Sequence, residues 1–565
     1  MNKKCRFRRQ KVFKKIIFIF VSIAMIGLVY YLFFEKKDSE QTSQLPANQE
    51  EPSSTDEVPI IDKIYSLSKK GMILEVPFTA GETGYEEVTK IFGTPENMDE
   101  TSVGDYAVYP EKRVTIGYKK SIAFDLRSYA KELEKIHYKE VLDQLGEPTD
   151  IKYYQDAKYD QIILTYRISD EYQLKWILDK PTEKKPNPTV HHISVVATKP
   201  SKQLPIPEMV DRMSLDEKIG QMIFAGVEGT KSNGDADRLV REYKVGGIIL
   251  NGENITTPSQ TVAYINDLKA RNSINKVPLF LGIDQEGGRI TKLPGELQNI
   301  PTNLEIGKMN DPAFSFELGT VLGKLVKAYG FNINFAPVLD VNSNPDNPVI
   351  GDRSFSANPD VVSTLGIQTM KGIQSENIIA SVKHFPGHGD TSVDSHLELP
   401  TVNKSRTQLE ELELIPFKRA IDEGADMVMV AHILLPKLDD YPSSMSKVIM
   451  TDFLREGLGY DGVIITDDMT MEAIAGNFDL GDAAIRSIKA GSDIVMVAHD
   501  YDKMIHVIEE MRKAVEKGEI SEERINESVT RILQLKEKYR IEDSRVGKVN
   551  VDTLNQMIGT VLPNS

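Results

Sequence analysis

At 565 residues the chain is too long for one domain, which typically takes roughly 100–200 residues, and its 40% apolar and 27% charged content excludes a mainly disordered protein. Lys plus Arg number 68 against 84 Asp plus Glu, a formal net charge of −16 that excludes nucleic acid as a partner. A single cysteine, Cys5, rules out an intrachain disulfide and any cysteine-built metal site, so the chemistry falls to oxygen and nitrogen groups and no cofactor or metal is expected.

The first element is a basic tail, residues 1–15, with Lys3, Lys4, Arg6, Arg8, Arg9, Lys11, Lys14 and Lys15 and no acid. The nineteen residues Ile16–Phe34 follow without a charge or a proline, close to the ~20 that a helix needs to cross the hydrocarbon core. This predicts a single-pass transmembrane signal anchor. Basic residues stay on the cytoplasmic side, so the N-terminus is expected there and everything after residue 34 outside the cell membrane. A cleaved signal peptide would have an apolar core of about 7–15 residues followed by small residues, whereas this run ends Tyr30-Tyr31-Leu32-Phe33-Phe34. Residues 35–58 read as a flexible linker, with six acids and no base or aromatic between 38 and 58.

A duplicated α+β domain is expected over 59–198. Tyr85-x-Glu87-Val88-x-x-x-Phe92-Gly93-x-Pro95 returns fifty-three residues later as Tyr138-x-Glu140-Val141-x-x-x-Leu145-Gly146-x-Pro148. In each copy the apolar spacing predicts a short amphipathic helix that Gly ends in a left-handed cap and Pro keeps from continuing. Alternating pairs at 114–118 with 121–126, and at 162–168 with 172–178, predict one hairpin after each helix. The pair of units resembles the duplicated helix-and-hairpin modules of small secreted bacterial proteins, including the β-lactamase-inhibitor-like group. It reads as a spacer or binding module whose ligand stays open. A cluster of prolines, ending with Pro200, Pro205 and Pro207, marks the linker at 199–207.

From 208 to 545 a regular alternation sets in. Ser214-x-x-Glu217 has the spacing of a helix capping box. Apolar, β-rich runs then appear at 219–227, 245–250, 277–284, 331–341, 378–385, 425–432, 461–468 and 492–499, eight in all. Amphipathic stretches such as 259–272, 408–424 and 521–539 lie between and after them. Strands buried on both faces read as continuous apolar runs, so a parallel α/β (β/α)8 barrel of the TIM type is predicted, ahead of a doubly wound open sheet, which would not demand eight. Residues 546–565 read as a C-terminal tail. In such a barrel the reacting groups stand at the C-terminal ends of the strands, and Asp284, Asp340, Lys383-His384, His432, Asp467-Asp468 and His499 all close their strands.

The densest chemical segment is Lys383-His384-Phe385-Pro386-Gly387-His388-Gly389-Asp390, continuing to Asp394 and His396. His384, His388, Asp390 and His396 could be read as ligands of a metal-dependent hydrolase. Alternatively, the Gly and Pro residues make a loop whose work is to place Asp394 beside His396, where a carboxylate can hold the imidazole tautomer and its charged form for acid and base work. At the end of the 461–468 run, one of Asp467 and Asp468 could serve as a nucleophile towards a glycosyl group, or Asp468 could cap the next helix. Gly287-Gly288 permits a turn towards Arg289, and Arg353 offers its guanidinium to an oxygen-rich ligand.

Taken together, DQEGGRI, NFAPVLDV, GDRSF, KHFPGHGDTSVDSHLELP, VMVAHI and IITDDM, in that order over about 205–545, resemble glycoside hydrolase family 3, and within it the β-N-acetylglucosaminidases of the cell-wall-recycling type. The resemblance implies an exo-acting retaining hydrolase with Asp467 as nucleophile and His396, paired with Asp394, as acid/base. It implies sugar contacts from Asp284, Arg353, Lys383 and His384, and a further one at Lys292, where the family has Arg; Lys keeps the charge and loses the bidentate fork. The substrate implied is a terminal β-linked N-acetylglucosamine, and outside the membrane peptidoglycan fragments are the expected source. A surface-anchored carbohydrate-binding pseudo-enzyme is the alternative of a different class, against which the presence of both Asp467 and His396 argues.

Overall fold

The computed structural model describes residues 59–101, 103–119, 121–198 and 205–562. The expected basic tail, membrane span and linker of residues 1–58 lie outside the described residues. Among the described residues no helix is long and apolar enough to cross a membrane.

The first domain is an eight-stranded antiparallel sheet with helices against one face. In chain order these are α1 (Ile60–Ser68), α2 (Tyr85–Phe92), β1 (Asn97–Glu100), β2 (Asp105–Tyr109), β3 (Val114–Lys119), β4 (Ile122–Ser128), α3 (Tyr138–Leu145), β5 (Asp150–Gln155), β6 (Asp160–Arg167), β7 (Tyr172–Asp179) and β8 (Val190–Ala197). The spatial order is β1-β2-β3-β4-β8-β7-β6-β5. The hairpins read from sequence are β3–β4 and β6–β7, and each lies inside a four-stranded half. Sequence alternation missed β1, β2, β5 and β8; of these β1 is the polar segment NMDE and every residue of β5 is exposed, so neither carries an apolar period of two. Val88 of α2 and Val141 of α3 are wholly buried against a core that includes Trp176, Leu164 and Ile193. Gly93 and Gly146 end the two helices with φ of 84° and 74°, a range that favours glycine, but with ψ of −174° and −161° the chain leaves extended instead of curling into the expected left-handed cap.

The second domain is the parallel barrel. Its strands are β9 (Ile223–Gly226), β10 (Gly247–Ile249), β11 (Phe280–Ile283), β14 (Ile333–Asn334), β15 (Ile379–Phe385), β16 (Met427–Val430), β17 (Val463–Asp468) and β18 (Ile494–Val497), with a small antiparallel ribbon, β12 (Gln285–Gly287) and β13 (Ile290–Thr291), standing on the rim after β11. The barrel closes in the order β10-β11-β14-β15-β16-β17-β18-β9. The run 331–341 supplies only the two-residue β14, since Pro337 has no N–H to give the ladder; the chain rejoins through a single bridge from Val338 to Lys383. Residues 219–221 belong to the helix Leu215–Gln221, whose predicted capping box forms between Ser214 and Glu217. The stretch 408–424 is two helices, Arg406–Glu410 and Leu414–Asp422.

Inside the barrel the Phe224 and Phe335 rings meet edge to face at 5.5 Å. They fit because Gly247 and Gly282 have no Cβ: one added there would stand 2.4 Å from Phe224 and 2.7 Å from Phe335, respectively. The N-terminal end is stoppered by Lys536, whose buried Nζ donates to Gln221 Oε1 at 2.8 Å, to the Gly246 carbonyl at 2.8 Å and to the Pro278 carbonyl at 2.7 Å. Beyond the helix Glu522–Lys538, a further helix, Val551–Val561, buries Leu554 and Ile558. The two domains touch where Glu86 of α2 pairs with Lys244 and where the Ser121 hydroxyl, in the β3–β4 turn, meets the Ile274 carbonyl.

Candidate active site

The rim charges are organised around a residue that the sequence did not single out. Glu286 on β12 is 4% exposed. Its carboxylate accepts from Arg353 Nε at 2.9 Å and Arg353 Nη2 at 2.7 Å, a bidentate pairing, and from Lys383 Nζ at 2.7 Å. Lys383 also reaches Asp284 Oδ1 at 2.6 Å. Two carboxylates and two cations thus cancel. Burial alone would raise the Glu286 pKa, but Arg353 and Lys383 overcome it and hold the carboxyl far below its ordinary value. Burial likewise works against the Lys383 ammonium, and Asp284 and Glu286 more than restore it. Arg353 sits on the turn Gly351–Arg353, its main-chain carbonyl accepting from Asn303 Nδ2 at 2.7 Å.

Beside this cluster, the fully buried Asp340 arranges two imidazoles. Its Oδ2 is 2.7 Å from His384 Nδ1, and its Oδ1 accepts the His388 main-chain N–H at 2.6 Å. Burial raises the Asp340 pKa, yet His384 and His388 bring it below the usual carboxylate value. With Nδ1 committed to Asp340, His384 presents Nε2 towards Arg353 Nη2, 3.4 Å away. The ring of His388 is held between Thr391 Oγ1 at 2.9 Å and Ser395 Oγ at 3.3 Å, and burial, followed by the nearby His384, lowers its pKa to about 4.

Asp467, near the end of β17, lies within electrostatic reach of His384, His432 and Lys383. Desolvation pushes its pKa up, but His384, His432, the Asp468 amide (2.9 Å from Oδ1) and Lys383 together pull it below the ordinary aspartate value. The carboxylate is therefore ionised at neutral pH. Asp468 does not cap the next helix: its side chain accepts from Thr470 N at 3.0 Å, Thr470 Oγ1 at 2.6 Å and Ala498 N at 2.9 Å. His432 is buried beneath, with Nδ1 2.7 Å from Ser444 Oγ and Nε2 2.9 Å from the Asp468 carbonyl.

The loop after β15 carries the expected pair. His396 Nδ1 lies 2.8 Å from Asp394 Oδ1, and the same oxygen accepts the His396 N–H at 2.9 Å. Asp394 feels burial, which raises its pKa, but these contacts with His396 carry it below normal. The pair stays accessible, the His396 side chain being 65% exposed. Between the two, buried Ser395 accepts the Ala473 N–H on its carbonyl at 3.2 Å. That bond ties the loop to the segment six residues after Asp467, so the imidazole and the nucleophile candidate share one side of the rim.

Of the residues chosen from sequence, Asp284, Arg353, Lys383 and His384 are brought into one cluster, with Asp467 under the electrostatic influence of His384 and Lys383. Lys292 is not in it: its exposed side chain runs past Gly252 on the loop after β10, while its main-chain N–H donates to Gln285 Oε1. Arg289 also turns away, to Asp352 at 2.7 Å. The four groups of the metal reading are engaged separately, His384 with Asp340, His388 with Thr391 and Ser395, Asp390 with Lys404 at 2.9 Å and His396 with Asp394, and among the described residues no three side chains form a metal cradle. Glu286 was visible only as the third letter of DQEGG. An acid two residues from another acid on a rim-forming turn was its one signal.

Comparisons with known proteins agree with this geometry. Residues 214–535 match the family described as glycosyl hydrolase family 3 N terminal domain, and residues 61–196 match a domain of unknown function, DUF4309. Beta-hexosaminidase A of Pseudoalteromonas piscicida is 37% identical over 330 residues, which cover 54% of this chain and 55% of that protein. The beta-hexosaminidase of Nitrosomonas eutropha is 33% identical over 322 residues, covering 54% of this chain and 91% of that protein. Among solved structures, a glycoside hydrolase family 3 beta-N-acetylglucosaminidase from Paenibacillus sp. str. FPU-7 superposes with a TM-score of 0.59 at 39% identity, over 62% of this chain and 68% of that one. A beta-N-acetylhexosaminidase from Beutenbergia cavernae gives 0.55 at 28% identity, over 57% and 99%.

Proposed function

Because the chain belongs to glycosyl hydrolase family 3, we propose that it is a retaining, exo-acting β-N-acetylglucosaminidase that removes terminal β-linked N-acetylglucosamine from peptidoglycan fragments. The observation that carries the reading is Asp467, near the end of β17, on the same rim as the Asp394–His396 pair, with the loop bearing the pair hydrogen-bonded through Ser395 to Ala473.

In this mechanism the Asp467 carboxylate attacks the anomeric carbon while His396, as imidazolium, gives its Nε2 proton to the departing oxygen. The bond from sugar to leaving oxygen breaks as the one to Asp467 forms. Neutral His396 then takes a proton from water, which attacks the anomeric carbon and releases Asp467. Asp394, holding Nδ1, keeps Nε2 turned to the reacting oxygen in both halves and stabilises the imidazolium. The cluster of Asp284, Glu286, Arg353 and Lys383 supplies donors and acceptors to sugar hydroxyls with no net charge, as an uncharged ligand requires. We place the barrel outside the cell membrane, anchored by Ile16–Phe34.

The test is mass spectrometry of the protein trapped with a fluorinated N-acetylglucosaminyl substrate. A sugar adduct on Asp467 is expected, and one on any other residue overturns the assignment. Sugar binding without release of product from an aryl N-acetylglucosaminide would favour a receptor instead.

A further inference from the structure

Period-two alternation gives the first domain's sheet two unlike faces. Leu164, Trp176 and Ile193 enter the core with the helices, while their neighbours Thr165, Lys175 and Ser194 point to the other side. There the sheet is concave. The hollow, about 1040 Å³, is lined among the described residues by β4 to β8 and their turns alone. Its floor is polar yet hidden: Ser194 is 3% exposed, Asp125 4% and Thr165 6%. Burying polar side chains costs stability unless they are hydrogen-bonded, and for Asp125 and Ser194 the partners lie within the sheet itself.

The hollow has a chemical order. At one end aromatic rings gather: Tyr129 stacks on His192 at 4.7 Å and 20°, and Tyr159 meets His191 edge to face at 5.7 Å. Tyr154, 48% exposed, stands on the neighbouring rim. Across the middle the lining carries Arg127, Lys152, Arg167 and Lys175. Asp125, Asp150, Asp156 and Asp170 balance them. Asp125 is itself satisfied by Arg127 Nη2 at 2.8 Å and Ser194 Oγ at 2.6 Å. Burial, with His191 and Arg127 adding to it, lowers the His192 pKa to about 3, so that ring is neutral; its Nδ1 is taken up by His191 Nδ1 at 2.8 Å, which leaves Nε2 for a ligand.

Balanced charge gives no field for a polyanion or a polycation. Flat aromatic faces beside interleaved donors and acceptors suit a polyhydroxylated ring, whose C–H face packs on the aromatic while its hydroxyls both give and take hydrogen bonds. From β4 to β5 the hollow crosses five strands, about 19 Å at ~4.8 Å per step, room for several linked sugars and not just one. We infer that this face is a glycan-binding groove that takes a chain of β-linked N-acetylhexosamines and holds the barrel against polymeric wall material. The choice of sugar rests on the reading of the barrel given above; the groove itself does not.

The test is co-sedimentation of the full chain, in detergent, with insoluble chitin and with purified peptidoglycan, alongside turnover of a soluble aryl N-acetylglucosaminide. Turnover by the native chain reports on the barrel alone. Tyr154→Ala and Lys175→Gln should each weaken retention about tenfold, with the melting temperature showing that the fold is kept, whereas Asp467→Asn should be retained like the native chain. Retention unchanged in both groove variants, retention abolished by Asp467→Asn, or failure of the native chain to sediment with either polymer would each overturn the proposal. So would competition by an extended peptide, added at the exposed edge strand β5, in place of chito-oligosaccharide.

Discussion

Glu286→Gln removes one charge and almost no volume, so it isolates the electrostatics of the rim. The native carboxylate takes three charge-assisted bonds, two from Arg353 and one from Lys383, all between 2.7 and 2.9 Å. Its side chain is 2% exposed and that of Lys383 3%, so water does little to screen the pairing. The amide can still accept on its oxygen, but its NH₂ must face an Arg or Lys donor, and the cluster is left with an uncompensated positive charge. Breaking a buried pair from one side costs about 3–5 kcal/mol. Over a barrel of roughly 320 residues, with about 2.1 cal/mol/K of unfolding entropy per residue, that lowers the melting temperature by about 5–7 °C. The same change frees Arg353 and Lys383 from their common anchor, and kcat/KM should fall about 10²-fold, the cost of misplacing a positioning group by about an ångström. Differential scanning fluorimetry and aryl N-acetylglucosaminide kinetics measure the two. Arg289→Gln is the control, because it breaks a pair of the same 2.7 Å length whose partners are 48% and 38% exposed, and exposed pairs are worth about 0–1 kcal/mol. If Glu286→Gln melted like Arg289→Gln and turned over at the native rate, the argument from burial would be wrong.

Other outcomes are equally accessible. Asp467→Asn should form no covalent adduct with the fluorinated trap and release no product, while the fold persists; an adduct in that variant would sink its role as nucleophile. His396→Ala should slow hydrolysis about 10²–10⁴-fold for a poor leaving group, the usual loss for a general acid, with a smaller effect on an activated aryl substrate. Asp394→Ala should lower kcat more than it raises KM, and unchanged glycosylation kinetics would remove Asp394 from the mechanism. Acid stability should report on His388, which takes its proton near 6.5 when unfolded but only near about 4 when folded. Between those values the unfolded chain holds more protons, so the native state loses about 3 kcal/mol from this residue as pH falls from about 6.5 to about 4, and no more below that. His388→Gln should flatten the melting temperature over that window, and an unaltered slope would refute the assignment.

The positions of the eight barrel strands were legible because a strand buried on both faces must be apolar throughout, a property written into consecutive residues from 223–226 to 494–497. The Asp394–His396 pair was legible for a similar reason, since two residues apart in one loop they can meet without help from the rest of the chain. Local spacing also located α2 and α3, with a glycine ending each. Tertiary structure alone chose Glu286 as the hub of the rim, because its partners Arg353 and Lys383 lie 67 and 97 residues further along the chain and nothing near Glu286 announces them. It alone set Lys292 beside Gly252 on the loop after β10, and it alone made a hollow of the polar face of β4 to β8. Period and propensity are set by neighbours in sequence, whereas the burial of a charge depends on which distant charges the fold brings to meet it.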